Sequence, residues 1–393
     1  MRSEAIHISG MGVVSAAGTG VPASLESMAA GERNIGPVSL FSSPVDLPVF
    51  EVRGLPPRTV PGKMRTLELL EMALEEALSE AGLFDTTGLR IGVALGTSVA
   101  CQLNDLGFYS TFREKKSAPM DSVDGFLAGN LAEATAKRLG LDGPTMVVAN
   151  ACSSGTDAIG AAMSWLNAGL CDIAIAGGSD EMNRIPLCGF NALGVASDEP
   201  CAPFDGNRKG LNLGEGAGVL ILEAPESAAR RGVSSKLRVC GYGSSADAYH
   251  LTAPHPEGEG LVRAINFALN QAGIQPADIA FVNAHGTSTP DNDKVEGKTL
   301  QRVFGPAVTV LSTKGYTGHT LGAAGGIEAV FSAAGLSSGW IPGSAGFQTV
   351  DDEIGLVPTL GRTEISGHYA LSTSLAFGGN NAALVIGLVG GDL

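Results

Sequence analysis

Short apolar runs that do not alternate with polar residues recur along this chain, and several lead into stretches of helical spacing. A strand without a polar face is covered on both sides, so this pattern calls for an α/β fold of helix-covered sheets. Strand-like runs fall near residues 6–8, 91–95, 145–150, 173–176 and 217–222, then near 237–242, 279–283, 308–312, 369–374 and 382–388. Helical patterns occupy about 156–170, 260–272 and 322–336. The stretch 223–235, rich in Ala, Arg and Ser, breaks the composition, and the same grammar then returns in shorter form. Two similar halves, 1–235 and 236–393, are expected.

Only 17% of the 393 residues are charged, and 55 are glycine. An average soluble protein carries about 25% charge and about half as much glycine. The combination implies extensive buried surface, close backbone packing and self-association. The net charge of −15, without a long basic stripe, disfavours nucleic acid as a partner. No apolar run approaches the roughly 20 residues needed to span a bilayer, and residues 1–7 lack a signal-peptide core, so a cytoplasmic location is expected. The six cysteines form no CxxC pair, which argues against a disulfide framework or a metal site. Gly10-Met11-Gly12 lacks the third glycine and the partner acid of a dinucleotide site.

Cys152 stands where a β-branched strand, Val147-Val148, meets small residues and then a helix with Ile159, Met163 and Leu166 on one face. A cysteine among apolar neighbours is, taken alone, a core thiol. At a helix N-terminus, however, free amides and the dipole favour a thiolate, and small neighbours let a substrate approach. Two of the six histidines, His285 and His319, lie in glycine-flanked polar loops directly after strands, where α/β proteins bind ligands.

Four segments carry a resemblance: Ala151-Cys152-Ser153-Ser154-Gly155, His285-Gly286-Thr287-Ser288-Thr289-Pro290, Lys314 with Thr317-Gly318-His319, and Phe377-Gly378-Gly379. In order and spacing they resemble the motifs of β-ketoacyl-acyl-carrier-protein synthases, and the likeness runs from Ile8-Ser9-Gly10 to the C-terminal strands. The resemblance implies a thiolase-like fold, two pseudo-repeated halves in five αβαβα layers, and decarboxylative Claisen condensation with malonyl carrier protein. It implies that Cys152 carries the acyl group, that the amides of Cys152 and Phe377 form an oxyanion hole, and that His285 and His319 donate to the malonyl thioester carbonyl. Lys314 would pair with Glu328 in a buried, positioning salt bridge. Thr287 and Thr289 would hold the phosphopantetheine arm, with Asp293 and residues 247–250 close by. Phe377 would gate the acyl and malonyl subsites on a loop bent at Gly378 and Gly379, and Val99 would limit the acyl pocket. No cofactor is implied beyond the phosphopantetheine that acyl carrier protein brings.

Because the chain is itself acidic, an acidic carrier protein needs a local basic patch, for which Arg58, Lys63, Arg65, Lys115, Lys116 and Arg208 are the candidates. The gate departs from the Gly-Phe-Gly-Gly-Thr-Asn of most relatives: it reads Ala376-Phe377-Gly378-Gly379-Asn380-Asn381. Alanine at 376 predicts a gate with less motion or a different hinge, and a synthase of specialised chains such as polyenes. A homodimer is expected, with a heterodimer beside a non-catalytic chain-length partner as the alternative. Cys152 and both histidines speak against the chain being that partner. A thiolase would need a second cysteine, and none follows Cys240.

Overall fold

A computed structural model describes residues 6–55, 64–100, 106–121, 123–124 and 130–389. Ten strands carry the fold: β1 Ile6–Ser15, β2 Ile91–Gly96, β3 Thr145–Val148, β4 Ile173–Asp180, β5 Gly216–Glu223, β6 Leu237–Ala246, β7 Ile279–Asn283, β8 Val310–Leu311, β9 Tyr369–Ala376 and β10 Asn380–Leu388. In space the first five run β1-β5-β4-β2-β3 and the last five β6-β10-β9-β7-β8. Each set is therefore ordered first, fifth, fourth, second, third. Pairing directions repeat as well: parallel where the second strand meets the third and fourth, antiparallel where the fifth meets the fourth and first. The two sets join edge to edge through Ile6↔Val239 and His7↔Arg238.

Helices make the remaining layers. One outer layer holds α1 (Arg65–Glu80) and α2 (Leu131–Leu139), packed on β1, β5 and β4 and on β2 and β3. Its start is chemically set at α2, where Asn130 and Glu133 form a reciprocal capping box. The middle layer holds α3 (Ser154–Asn167) and α7 (Ala324–Ser338), which touch strands of both sets. With a sheet on either side, α7 is buried at every position from Ala324 to Leu336, so it shows no amphipathic stripe. The opposite outer layer holds α5 (Glu259–Ala272) on β6 and β10, with α6 (Pro290–Phe304) beside it. Helix α4 (Arg184–Ala192) lies outside this layering. The five layers are those of the thiolase-like fold.

One motif gains a role here and one expectation changes. Gly10 and Gly12 serve packing: a Cβ there would lie 2.2 Å from the Ala77 carbonyl oxygen and 2.0 Å from that of Ala73, so only glycine lets β1 lie against α1. The apolar run at β3, which the absence of alternation marks as covered on both sides, is the outermost strand, and Thr145 and Met146 are exposed. Composition cannot tell a strand covered by its own chain from one left for another chain to cover. Among the described residues no helix is long and apolar enough to cross a membrane.

Candidate active site

Cys152, His285, His319 and Phe377 converge from both halves at the C-terminal ends of β3, β7, β8 and β9. After β3, Ala151 adopts a left-handed φ of 50°, which turns the chain into a short 3₁₀ turn, Ala151–Ser153, and presents Cys152 just before α3. The second half repeats this bend at Leu321, φ 53°, ahead of α7. A left-handed alanine costs backbone energy, and such strain gathers at functional positions. His285 follows β7, and the Glu296 carboxylate accepts the amides of His285 and Gly286 at 2.8 Å each. His319 is fixed through its own amide, donated to the Asn212 carbonyl, and through its carbonyl, which accepts from Gly214.

The His319 Nε2 lies 3.0 Å from the Cys152 Sγ. The two imidazoles stand perpendicular with ring centroids 5.2 Å apart, and the sulfur and one nitrogen of each ring fall within 4.8 Å of one another. Lys314 is almost wholly buried; its ammonium pairs with the Glu328 carboxylate, donates to the His285 carbonyl at 2.5 Å and faces the His285 Nδ1 at 3.1 Å. An ammonium has no lone pair, so the Nδ1 of His285 must accept and its Nε2 must carry the proton. The Nδ1 of His319 has no partner among the described residues, which leaves its tautomer free.

Burial lowers both histidines well below their ordinary value, and the nearby Lys314 charge adds to it, so both imidazoles are neutral at physiological pH. Burial also pushes Cys152 up to about 11, against the pull of the Lys314 charge and of an amide hydrogen bond from Phe377. This runs against the expected helix-stabilised thiolate: burial is the largest influence on the sulfur and favours the thiol.

A cavity of about 360 Å³ meets this cluster and is lined by Cys152, His285, His319, Phe377, Thr287 and Thr289, the last two with hydroxyls 2.9 Å apart. A second cavity, of about 380 Å³, lies on the other side of Cys152 and Phe377 and includes Val99, Ile185, Phe190 and Leu321. Cys152, Phe190 and Phe377 line both. Gly378 and Gly379 adopt φ of 88° and 81°, left-handed bends that glycine accommodates. Ala376 needs no such freedom, because it closes β9 in register with Asn380. The left-handed bends thus lie after the phenylalanine, and Ala376 itself is extended strand. Asp293 does not line either cavity; it accepts the Ser288 and Phe204 amides and so holds the histidine loop. Asp247 holds the Phe377-Gly378-Gly379 loop by accepting from Asn381 and donating its amide to the Gly379 carbonyl, whereas the Tyr249 side chain is exposed.

Models of two family domains match the chain: beta-ketoacyl synthase, N-terminal domain, over residues 52–228, and beta-ketoacyl synthase, C-terminal domain, over residues 237–348. The chain is a β-ketoacyl synthase. It is similar to 3-oxoacyl-[acyl-carrier-protein] synthase 2 of Staphylococcus aureus strain N315, with 35% identity over 98% of each chain. The Vibrio cholerae protein of that name shares 33% over 98% of this chain and 99% of its own. Among solved structures, the ishigamide ketosynthase/chain length factor matches at TM-score 0.91 and 29% identity over 98% of this chain and 99% of that one. A ketosynthase in complex with its chain length factor from Xenorhabdus doucetiae matches at TM-score 0.87 and 30% identity over 98% of both.

The expected docking patch of the synthase does not survive intact. Arg65 is 4% exposed and clamps Glu215 through two guanidinium nitrogens, out of reach of any protein surface. Arg208 is likewise buried, on Asp351 and Asp205. Lys115 and Lys116 are exposed, while Lys63 and Arg58 lie outside the described residues. A lone charge in sequence carries no sign of its depth. Two groups at the site had no sequence signal: Phe190 of α4, stacked on Phe377 at 5.5 Å and edge-on to His319, and Glu296, which looks like an ordinary helical acid.

Proposed function

We propose that this synthase catalyses condensation of an acyl group held on Cys152 with malonyl-acyl carrier protein, and that it extends chains in a fatty acid or related polyene or polyketide pathway of the cytoplasm. The carrying observation is a buried thiol 3.0 Å from a neutral His319, beside a His285 whose tautomer Lys314 dictates. As Cys152 attacks the acyl thioester, its proton passes to the Nε2 of His319 and then to the departing carrier thiolate. The amides of Cys152 and Phe377 receive the oxyanion. Malonyl thioester then loses carbon dioxide; the Nε2–H of His285, joined by His319, stabilises the enolate oxygen. The enolate carbon attacks the acyl carbon, the Cys152 sulfur leaves, and it takes up one proton.

Phosphopantetheine would enter past Thr287 and Thr289, and the acyl chain would lie in the cavity bounded by Val99. No resident cofactor or metal has a part in these steps. Lys115 and Lys116 are what remains described of the carrier-protein surface. The division into halves 1–235 and 236–393 is supported by the repeated strand order.

A second chain belongs to this reading. The exposed edge at β3 runs into Ala149 and Ala151, which line the acyl cavity together with the half-exposed Ile185. A partner on that edge would close the cavity. The two structural neighbours that pair a ketosynthase with a chain length factor support a heterodimer as the alternative to a homodimer. Incubation with malonyl carrier protein and a panel of acyl carrier proteins, read by mass spectrometry, is the test: acyl-Cys152 and the two-carbon-extended β-ketoacyl product are expected, and no acylation with any primer would reject condensation.

A further inference from the structure

Asp157, in the first turn of α3, is a buried carboxylate that none of these steps uses. Four donors converge on it. Its Oδ1 accepts the Tyr242 hydroxyl of β6 at 2.7 Å, and its Oδ2 accepts the Asn150 amide at 2.8 Å, the Ser153 hydroxyl at 2.8 Å and the Asn380 amide at 3.0 Å. Asn380 also donates to the Ser153 hydroxyl at 2.6 Å. None of Asp157, Ser153, Tyr242 and Asn380 lines the two cavities at Cys152.

The four donors come from positions that must keep register during the reaction. Asn150 and Ser153 flank the nucleophile on either side, Asn380 opens β10 directly after the gate loop, and Tyr242 belongs to the other half. Asn380 is also the residue that departs from the usual threonine of the gate motif, and its side-chain amide reaches Asp157. The gate has two demands on it. Phe377 must swing aside for an acyl chain to pass between the cavities it lines, and must return so that its amide meets the oxyanion at the sulfur.

We propose that Asp157 and Asn380 are positioning residues that latch the Phe377 loop to the nucleophile turn. The latch acts through Ser153 and Asn150 on the Cys152 amide and through Asn380 on the Phe377 amide, so one carboxylate sets the spacing of both oxyanion donors. It works while an acyl group occupies Cys152, holding the gate shut against water until the enolate forms.

The proposal rests on the condensation reading, and its test separates the two. Asn380→Thr, which shortens the side chain, is compared with wild type for condensation kcat, malonyl-carrier KM, melting temperature and the lifetime of acyl-Cys152 by intact-protein mass spectrometry. Full loss of one oxyanion donor costs about 10² to 10³ in rate, so a displaced one is expected to lower kcat by about 10- to 100-fold with KM within about twofold. The acyl-enzyme is expected to hydrolyse several-fold faster at an unchanged melting temperature. Asn380→Asp sets two carboxylates together and is expected to behave as badly or worse. Tyr242→Phe, which leaves the gate tie intact, is expected to keep both. A wild type that condenses while Asn380→Thr matches it in kcat and acyl-enzyme lifetime overturns the latch alone. So does a loss that tracks melting temperature and KM. A wild type that never forms acyl-Cys152 overturns the condensation reading and the latch with it.

Discussion

At the residue scale, the site runs on the competition between burial and one fixed charge. Cys152 is pushed up to about 11 in spite of Lys314, so its thiolate fraction, and with it the rate of iodoacetamide alkylation, should rise about tenfold per pH unit from pH 6.5 to 9. A plateau below pH 8 would show that the helix dipole governs the sulfur after all. Lys314 gives a second test. Burial raises Glu328 to about 7, above its ordinary 4.5, with the Lys314 charge holding it down. A carboxyl that keeps its proton longer in the folded state loses stability as pH climbs from the unfolded value towards the folded one. Lys314→Met removes the restraint, which extends that loss to higher pH. The variant should be about 3–5 kcal/mol less stable near pH 8 and should recover on acidification to pH 5.5, followed by thermal melts. Glu328→Leu added to it should restore stability but not condensation, because the His285 tautomer stays unpinned.

At the element scale, backbone contacts decide more than side-chain contacts do. Strand β1 and helix α1 approach so closely that Gly12 faces the Ala73 carbonyl, a backbone atom that cannot rotate away. Gly12→Ala should therefore cost about 1–3 kcal/mol or more, measured by urea unfolding, while the activity of the folded fraction is retained. The nucleophile turn and its counterpart at Leu321 show the same principle. Each is a left-handed residue that no propensity scale predicts, held by the packing of α3 and α7 between two sheets.

At the scale of the whole molecule, the repeated strand order brings the ends of β3, β7, β8 and β9 together, so neither half alone holds the cysteine and the histidines. The open β3 edge is where the proposed second chain would sit. Met146→Lys with Val147→Asp on that strand should turn a dimer into a monomer in gel filtration with light scattering, and should slow acylation by long chains more than by short ones. An unchanged dimer would place the interface elsewhere.

The sequence by itself determined the fold class, the succession of the ten strands and three of the helices, because these rest on local spacing; it marked the cysteine and two histidines by their place after strands, and the lysine and phenylalanine only through the family resemblance. It also marked Asn380 as unusual without saying why. Depth was decided only by the tertiary structure. The same positive charge is a clamp on Glu215 at Arg65 and a free surface group at Lys115, and the same apolar run could have been core or edge at β3. Desolvation, which sets the protonation of Cys152, His285 and His319, comes from atoms distant in the chain, as do two of the four donors on Asp157, Tyr242 and Asn380. Local spacing carries identity; burial and long-range contact carry the chemistry.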